Sequence, residues 1–248
     1  MTRIYFPDPI PADGRCQLDA RKAHHVSHVL RLKVGDAVIL FDGRGTAYDA
    51  QIAQCQQQTV SLVVQQLRIE RTESPLRVNL VQAVSSGDRM DYTIQKAVEL
   101  GVNTVQPVLS ARCVVKLSGE RADKRIVHWQ AVVIAACEQS GRLVVPEVKP
   151  LLRYTQYVEQ ALPDGEIGLL LDPLATNNLR AIAPLPGDAE GRAAVSVLVG
   201  PEGGLTADEV TRAIECGYQA IRLGPRILRT ETAAVALLAA MQVLWGDF

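Results

Sequence analysis

The 248-residue sequence contains no apolar run long enough to cross a bilayer as a helix, so no membrane partner is expected. Its opening residues, Met1-Thr-Arg-Ile-Tyr-Phe-Pro7, lack the apolar stretch of a secretory signal, and the expected location is the cytoplasm. It has almost no net charge, with 26 basic against 27 acidic side chains. That balance excludes capture of a polyanion by bulk electrostatics. A nucleic acid would have to be met by a few placed arginines, collected from two subunits if need be. The five cysteines (Cys16, Cys55, Cys113, Cys137, Cys216) include no CxxC pair, and none stands beside a histidine at metal-ligand spacing. A disulfide framework and a cysteine-based zinc site are both excluded on that pattern, and no metal is expected.

What is present concentrates in the last fifth of the chain. The apolar run Val195-Ser-Val-Leu-Val199 enters the turn Gly200-Pro-Glu-Gly-Gly204, and Thr206 then precedes Glu209 by three residues, the spacing of a helix capping box. A second short strand, Ala220–Leu223, is followed by Gly224-Pro-Arg-Ile-Leu-Arg-Thr-Glu-Thr232 and an apolar helix over Ala233–Trp245. Two glycine-bearing turns at the C-terminal ends of neighbouring parallel strands form a crevice suited to a nucleotide-like ligand. The first turn has neither the lysine of a phosphate-binding P-loop nor GxGxxG spacing, which argues against a triphosphate or NAD. An adenosine held by backbone groups fits better. Arg229 and Glu231, at the mouth of this crevice, suit charge stabilisation and proton handling. Thr230 or Thr232 is expected to cap the final helix, with Glu231 favouring its N-terminal dipole.

Upstream, residues 1–73 read as a small antiparallel barrel. Short apolar runs such as Ala37–Phe41, Tyr48–Ile52 and Thr59–Val64 are separated by Gly35-Asp36, Asp42-Gly43 and a glutamine-rich turn that includes Gln57 and Gln58. A helix-like segment, Ala23–Leu32, interrupts them and sets His24 and His28 one turn apart. The charged stretch Ile69–Pro75 reads as a linker. Beyond it, residues 74–248 alternate strand and helix: Arg77–Val84, Arg89–Leu100, Thr104–Leu109, Arg121–Gln139, Val144–Val148, Tyr154–Ala161 and Ile167–Leu171, then the closing unit. That alternation predicts an α/β domain with a parallel sheet covered on both faces. Lys96 and Glu99 are spaced to pair along one helix, and Glu138, Gln139 and Arg142 to satisfy the C-terminus of another.

Taken in order, several stretches resemble the RsmE family of 16S rRNA uridine methyltransferases, within the SPOUT (trefoil-knot) methyltransferases. They are Arg3-Ile-Tyr-Phe6, His25–Gly35, Gln95-Lys-Ala-Val-Glu-Leu-Gly101, Glu138-Gln-Ser-Gly-Arg142 with Pro146, Gly200-Pro-Glu-Gly-Gly204, and Leu223-Gly224 through Ile227-Leu-Arg-Thr-Glu-Thr-Ala233. The resemblance covers essentially the whole chain, and its strongest part is the pair of C-terminal turns. It implies a PUA-like β-barrel over residues 1–73 that binds RNA and a knotted parallel-sheet domain over 74–248. It also implies a homodimer and the transfer of a methyl group from S-adenosylmethionine to N3 of one uridine in 16S rRNA, on the small ribosomal subunit, leaving S-adenosylhomocysteine.

Uracil N3 carries a proton and is a poor nucleophile until that proton leaves, so such a site needs a base, a cation and alignment. The expected roles are charge stabilisation by Arg229 and proton acceptance by Glu231 or Glu202. Cofactor contacts are expected from Leu171, Val199, Gly200, Glu202, Gly203, Gly204, Leu223, Gly224, Ile227, Leu228 and Thr232. RNA contacts are expected from Arg3, His25, Arg31, Lys33 and Arg142. Two competing readings are a Rossmann-like adenine-nucleotide enzyme and a non-catalytic RNA-binding module. The missing dinucleotide fingerprint weighs against the first, and the intact Arg229 and Glu231 weigh against the second.

Overall fold

The computed structural model describes residues 1–56, 59–182, 187 and 193–248; Gln57 and Gln58 of the glutamine-rich turn lie outside them. The chain divides into two compact units. The first comprises Met1–Glu73 and Cys137–Val145, the second Ser74–Ala136 and Pro146–Phe248.

In the first unit, β1 (Thr2–Tyr5), β2 (Arg15–Gln17), β3 (Ala37–Phe41), β4 (Ala47–Cys55) and β5 (Val60–Arg68) form one sheet in the order β1-β3-β4-β5-β2. The sheet is mixed rather than wholly antiparallel, because β1 pairs parallel with β3, Thr2 opposite Val38 through Tyr5 opposite Phe41. Alternate residues of the strands, such as Val38 with Leu40 and Ile52 with Leu62, turn inward onto Ile4, Leu18, Ala23 and Val26. The helix-like segment begins and ends three residues earlier than its sequence suggests. An α-helix, α1 (Ala20–His24), widens into a single π turn over His25–Val29. The Ser27 hydroxyl donates to the Ala23 carbonyl at 2.8 Å, and the Leu30 N–H reaches back five residues to the His25 carbonyl. Arg31 then takes φ 55°, alone among the described non-glycine residues, and the helix cannot continue.

Cys137–Val145 completes this unit. Glu138 accepts from the Tyr5 N–H at 3.0 Å, and Val145 N–H donates to the Gly43 carbonyl. The Arg142 guanidinium is bound to the Glu73 carboxylate. Glu138 and Arg142 therefore do more than satisfy a helix end. Burial pushes the Glu138 carboxyl up, against the opposing effect of the Tyr5 N–H.

The second unit contains β6 (Arg77–Ala83), α2 (Arg89–Glu99), β7 (Thr104–Leu109), α3 (Glu120–Ser140, whose last four residues count with the first unit), β8 (Glu147–Val148) and β9 (Leu152–Arg153). It continues with α4 (Tyr154–Val158), β10 (Glu166–Leu171), β11 (Ala194–Val199), α5 (Ala207–Glu215), β12 (Tyr218–Ile221) and α6 (Thr230–Trp245). Its sheet runs β12-β10-β11-β6-β7-β8, with β9 also on β7, and these pairings are all parallel. The expected strand Val144–Val148 shrinks to the two residues of β8, because Val144 bridges Gly43 and Arg44 in the first unit. Register places Val199 beside Gln82, Leu198 beside Leu170, and Leu171 beside Ile221. The C-terminal ends of β6, β10, β11 and β12 thus open side by side, where ligands of open α/β sheets bind.

Two helix starts decide the geometry there. α5 begins as its sequence says, with Thr206 and Glu209 closing a reciprocal capping box at 3.2 and 2.9 Å. α6 does not: Arg229 is its N-cap residue and makes no side-chain cap. Thr230 is buried, and its hydroxyl donates to the Gly200 carbonyl at 2.6 Å while accepting from Gln82 Nε2 at 3.1 Å. Glu231 does sit in the first turn of α6, on the positive end of its dipole.

Candidate active site

A pocket of about 410 Å³ lies at those strand ends, within the range of small-molecule sites. Leu171, Val199, Gly200, Glu202, Gly203, Gly204, Leu223, Gly224, Ile227, Leu228, Arg229 and Glu231 all line it. The structure therefore brings together every expected catalytic residue and every expected cofactor residue except Thr232. Thr232 is exposed on the first turn of α6 and lies outside the lining, because it is Thr230 that turns inward.

The first turn is built to stay open. Gly204 has φ +68° with no atom within 4 Å of where a Cβ would stand, and Gly224, φ +73°, is equally open in the second turn. Gly203 answers a different need: a Cβ there would press on Arg112 Cβ at 3.1 Å. Arg112 clips the turn from outside, donating through Nη1 to the Gly203 and Leu205 carbonyls at 3.1 and 3.2 Å. Glu209 adds a second tie by accepting from the Ala111 N–H at 2.7 Å.

The two candidate bases have different hydrogen-bond surroundings. Glu202 Oε1 accepts three hydrogen bonds, from Ser86 N–H and Ser86 Oγ at 2.7 Å and from Arg89 Nη1 at 2.9 Å. Partial burial alone would push its carboxyl up, but the Ser86, own-backbone and Arg89 hydrogen bonds together outweigh this and hold it below the usual range. A carboxylate so saturated is a clamp on the turn and a poor proton acceptor. Glu231 has fewer ties. Its Oε1 faces Arg89 Nε across 3.9 Å, while its Oε2 is shut off from solvent with no hydrogen-bond partner among the described residues. A buried carboxylate oxygen without a donor is costly, and a ligand bearing an N–H or a cation would relieve it. The size, the apolar floor of Leu171, Val199 and Ile221, and this orphaned oxygen suit an adenosine carrying a positively charged group.

Arg89, Ser86 and Asp172 escaped the sequence reading. Gly87 and Arg89 follow β6, whose end lies beside that of β11, and that pairing is what turns them toward the crevice.

The expected RNA contacts fall in the first unit and part into two sets. His25, Arg31 and Lys33 are exposed. Arg142 is only 4% exposed and bound to Glu73, so its place as an RNA contact is corrected to a structural one. Arg3 is partly buried; its guanidinium lies over Gly141, where a Cβ would approach within 2.9 Å, and its Nε has no partner among the described residues. His24 and His28 stack with ring centroids 4.4 Å apart.

The family model described as an RNA methyltransferase domain matches residues 72–242, and one described as an RNA methyltransferase PUA domain matches residues 18–64. A protein of Buchnera aphidicola named ribosomal RNA small subunit methyltransferase E is 32% identical, over 99% of this chain and 97% of its own length. The protein of that name from Bacillus subtilis is 30% identical, over 93% and 92%. A crystal structure of ribosomal RNA small subunit methyltransferase E from Neisseria gonorrhoeae, bound to S-adenosyl methionine, superposes with a TM-score of 0.91 at 41% identity, covering 100% of this chain and 99% of that one.

Proposed function

The chain belongs to the RsmE family of ribosomal RNA small subunit methyltransferases, a SPOUT-type α/β domain joined to a PUA-like one, and on that premise we propose that it methylates N3 of one uridine in 16S rRNA. The methyl donor is S-adenosylmethionine, which supplies an electrophilic methyl group on a sulfonium. The observation that carries the reading is the pocket in which Arg229 and the unpartnered Glu231 oxygen stand beside two open glycine turns.

The chain's own residues have three tasks. Gly204 and Gly224 leave room along the backbone for the adenosine, between walls formed by Leu171, Val199, Leu223, Ile227 and Leu228. Glu231 accepts the N3 proton, and Glu202, already saturated, holds the first turn in place. Arg229, exposed at the pocket mouth, receives the negative charge that deprotonation spreads onto the uracil oxygens. N3 lies on the Watson–Crick edge, so the base must be unpaired or drawn out of its stack to enter. His25, Arg31 and Lys33 of the unit that includes residues 1–73 are the proposed RNA contacts. A cytoplasmic homodimer is the proposed working form. Val243, Leu244 and Phe248, 65, 47 and 66% exposed at the end of the chain, support a subunit contact there. No helix among the described residues is long and apolar enough to cross a membrane.

The test is methyl transfer to small ribosomal subunits that lack the modification, with the modified base identified by mass spectrometry. N3-methyluridine is the expected product; a methyl group on another atom, or none, overturns the assignment. Arg229→Ala should abolish turnover while S-adenosylmethionine still binds. Parallel loss of both would make Arg229 a binding residue instead.

A further inference from the structure

Arg89 opens α2, directly after the turn that follows β6, and its guanidinium stands in the pocket between two carboxylates. Nη1 lies 2.9 Å from Glu202 Oε1 and 3.0 Å from Ser86 Oγ, and Nε lies 3.9 Å from Glu231 Oε1. The Glu202 and Glu231 side chains are only 23 and 16% exposed, so their mutual repulsion is poorly screened unless a cation stands between them. The arrangement is also directional. Ser86 fixes Glu202 through both its N–H and its hydroxyl, and Glu202 in turn gives the guanidinium a fixed seat. From that seat Arg89 faces one oxygen of Glu231 and leaves the other without a partner.

Resting on the assignment of Glu231 as proton acceptor, we infer that Arg89 is the positioning residue of that base: seated on Glu202, it fixes the orientation in which the Glu231 carboxylate meets the substrate N3–H. In the step it serves, the N3–H bond breaks and its proton passes to the Glu231 carboxylate. The electron pair left on N3 forms the new N–C bond to the methyl carbon, and the C–S bond breaks with its pair retained on sulfur, giving a neutral thioether.

The experiment compares Arg89→Met, Arg89→Lys, Glu202→Gln and Glu231→Gln in the full-length protein. It measures kcat and KM on unmodified small subunits, the Kd for S-adenosylmethionine by calorimetry, and Tm. Misorientation of a reacting group by about an ångström costs on the order of 100-fold. Arg89→Met should therefore lower kcat by about that factor with Kd near wild type, and should lower Tm as the two carboxylates lose the cation between them. Arg89→Lys, which keeps the cation, should recover most of the loss, and Glu202→Gln, which weakens the seat, should fall between. Wild-type kcat in Arg89→Met overturns the inference. So does a rise in KM alone, which would make Arg89 an RNA contact, or a parallel loss of kcat and cofactor affinity. If Arg89→Met fails to fold, Arg89→Lys and Glu202→Gln decide: the inference falls if Glu202→Gln keeps wild-type kcat or if Arg89→Lys loses as much as Glu231→Gln. Full turnover in Glu231→Gln sinks the proposed base itself, whereas a dead Glu231→Gln beside an unimpaired Arg89→Met sinks only the positioning role.

Discussion

Replacing Thr230 by valine tests whether the two glycine turns are held together from inside the protein. The side chain is 6% exposed, and its hydroxyl sits mid-way along a chain of hydrogen bonds from Gln82 Nε2 at 3.1 Å to the Gly200 carbonyl at 2.6 Å. Valine keeps the shape and removes both bonds. Gln82 Nε2 retains the Ala83 carbonyl at 3.0 Å, so the deficit falls mainly on Gly200, whose carbonyl loses this donor. Leaving one such acceptor unmet costs about 1–3 kcal/mol. If that cost is borne by the turn, it appears as weaker cofactor affinity, by roughly 5- to 150-fold at 1.4 kcal/mol per decade. If it is borne globally, it appears in urea unfolding instead. Calorimetric titration with S-adenosylmethionine, run beside urea denaturation, measures both. Thr230→Ser restores the hydroxyl and should restore the lost property. A valine variant matching wild type in both measurements, within about 0.5 kcal/mol, refutes the reasoning.

Two other expectations follow from buried or tied polar groups. Gln242, 1% exposed, accepts from the Ser74 hydroxyl and donates to the Leu100 carbonyl, both at 2.8 Å, so Gln242→Leu should lower unfolding stability by about 2–4 kcal/mol; a change under about 0.5 kcal/mol would show that neither group needs it. The Glu202 carboxyl is held below its ordinary 4.5, so its ties contribute stability that is present above that value and lost as pH falls through the lower folded value. The stability difference between wild type and Glu202→Gln should accordingly shrink between pH 7 and strong acid, and a difference that grows on acidification would contradict this.

Local chemistry was legible in the sequence wherever the deciding partner is near in the chain. Thr206 and Glu209 cap their own helix, and Lys96 pairs with Glu99 at 2.7 Å, as spacing alone required. The convergence of the two C-terminal turns could also be read, because parallel strands set their ends side by side. What escaped depends on distant partners. Thr230 is a cap's residue type but stands one place inside the helix, and a buried acceptor thirty residues away, Gly200, captures its hydroxyl. Arg142 reads as a partner for a helix C-terminus or an RNA contact until Glu73 is found beside it. Arg89 belongs to no glycine motif, and only the register of β6 with β11 brings it to the pocket. The π turn at His25–Val29 turns on one serine hydroxyl competing for a carbonyl, a balance that periodicity does not register.

Because Cys137–Val145 belongs with the unit that the first 73 residues begin, the order of synthesis and the order of completion differ. When Glu73 leaves the ribosome, Tyr5 has no Glu138 to bond and Glu73 itself no Arg142. At about 5–20 residues per second, the missing piece arrives roughly 4–14 seconds later, after most of α3 has been made. A nascent chain arrested at any point before residue 145 should therefore carry its amino-terminal unit unfinished, however long its first 73 residues have been free of the exit tunnel.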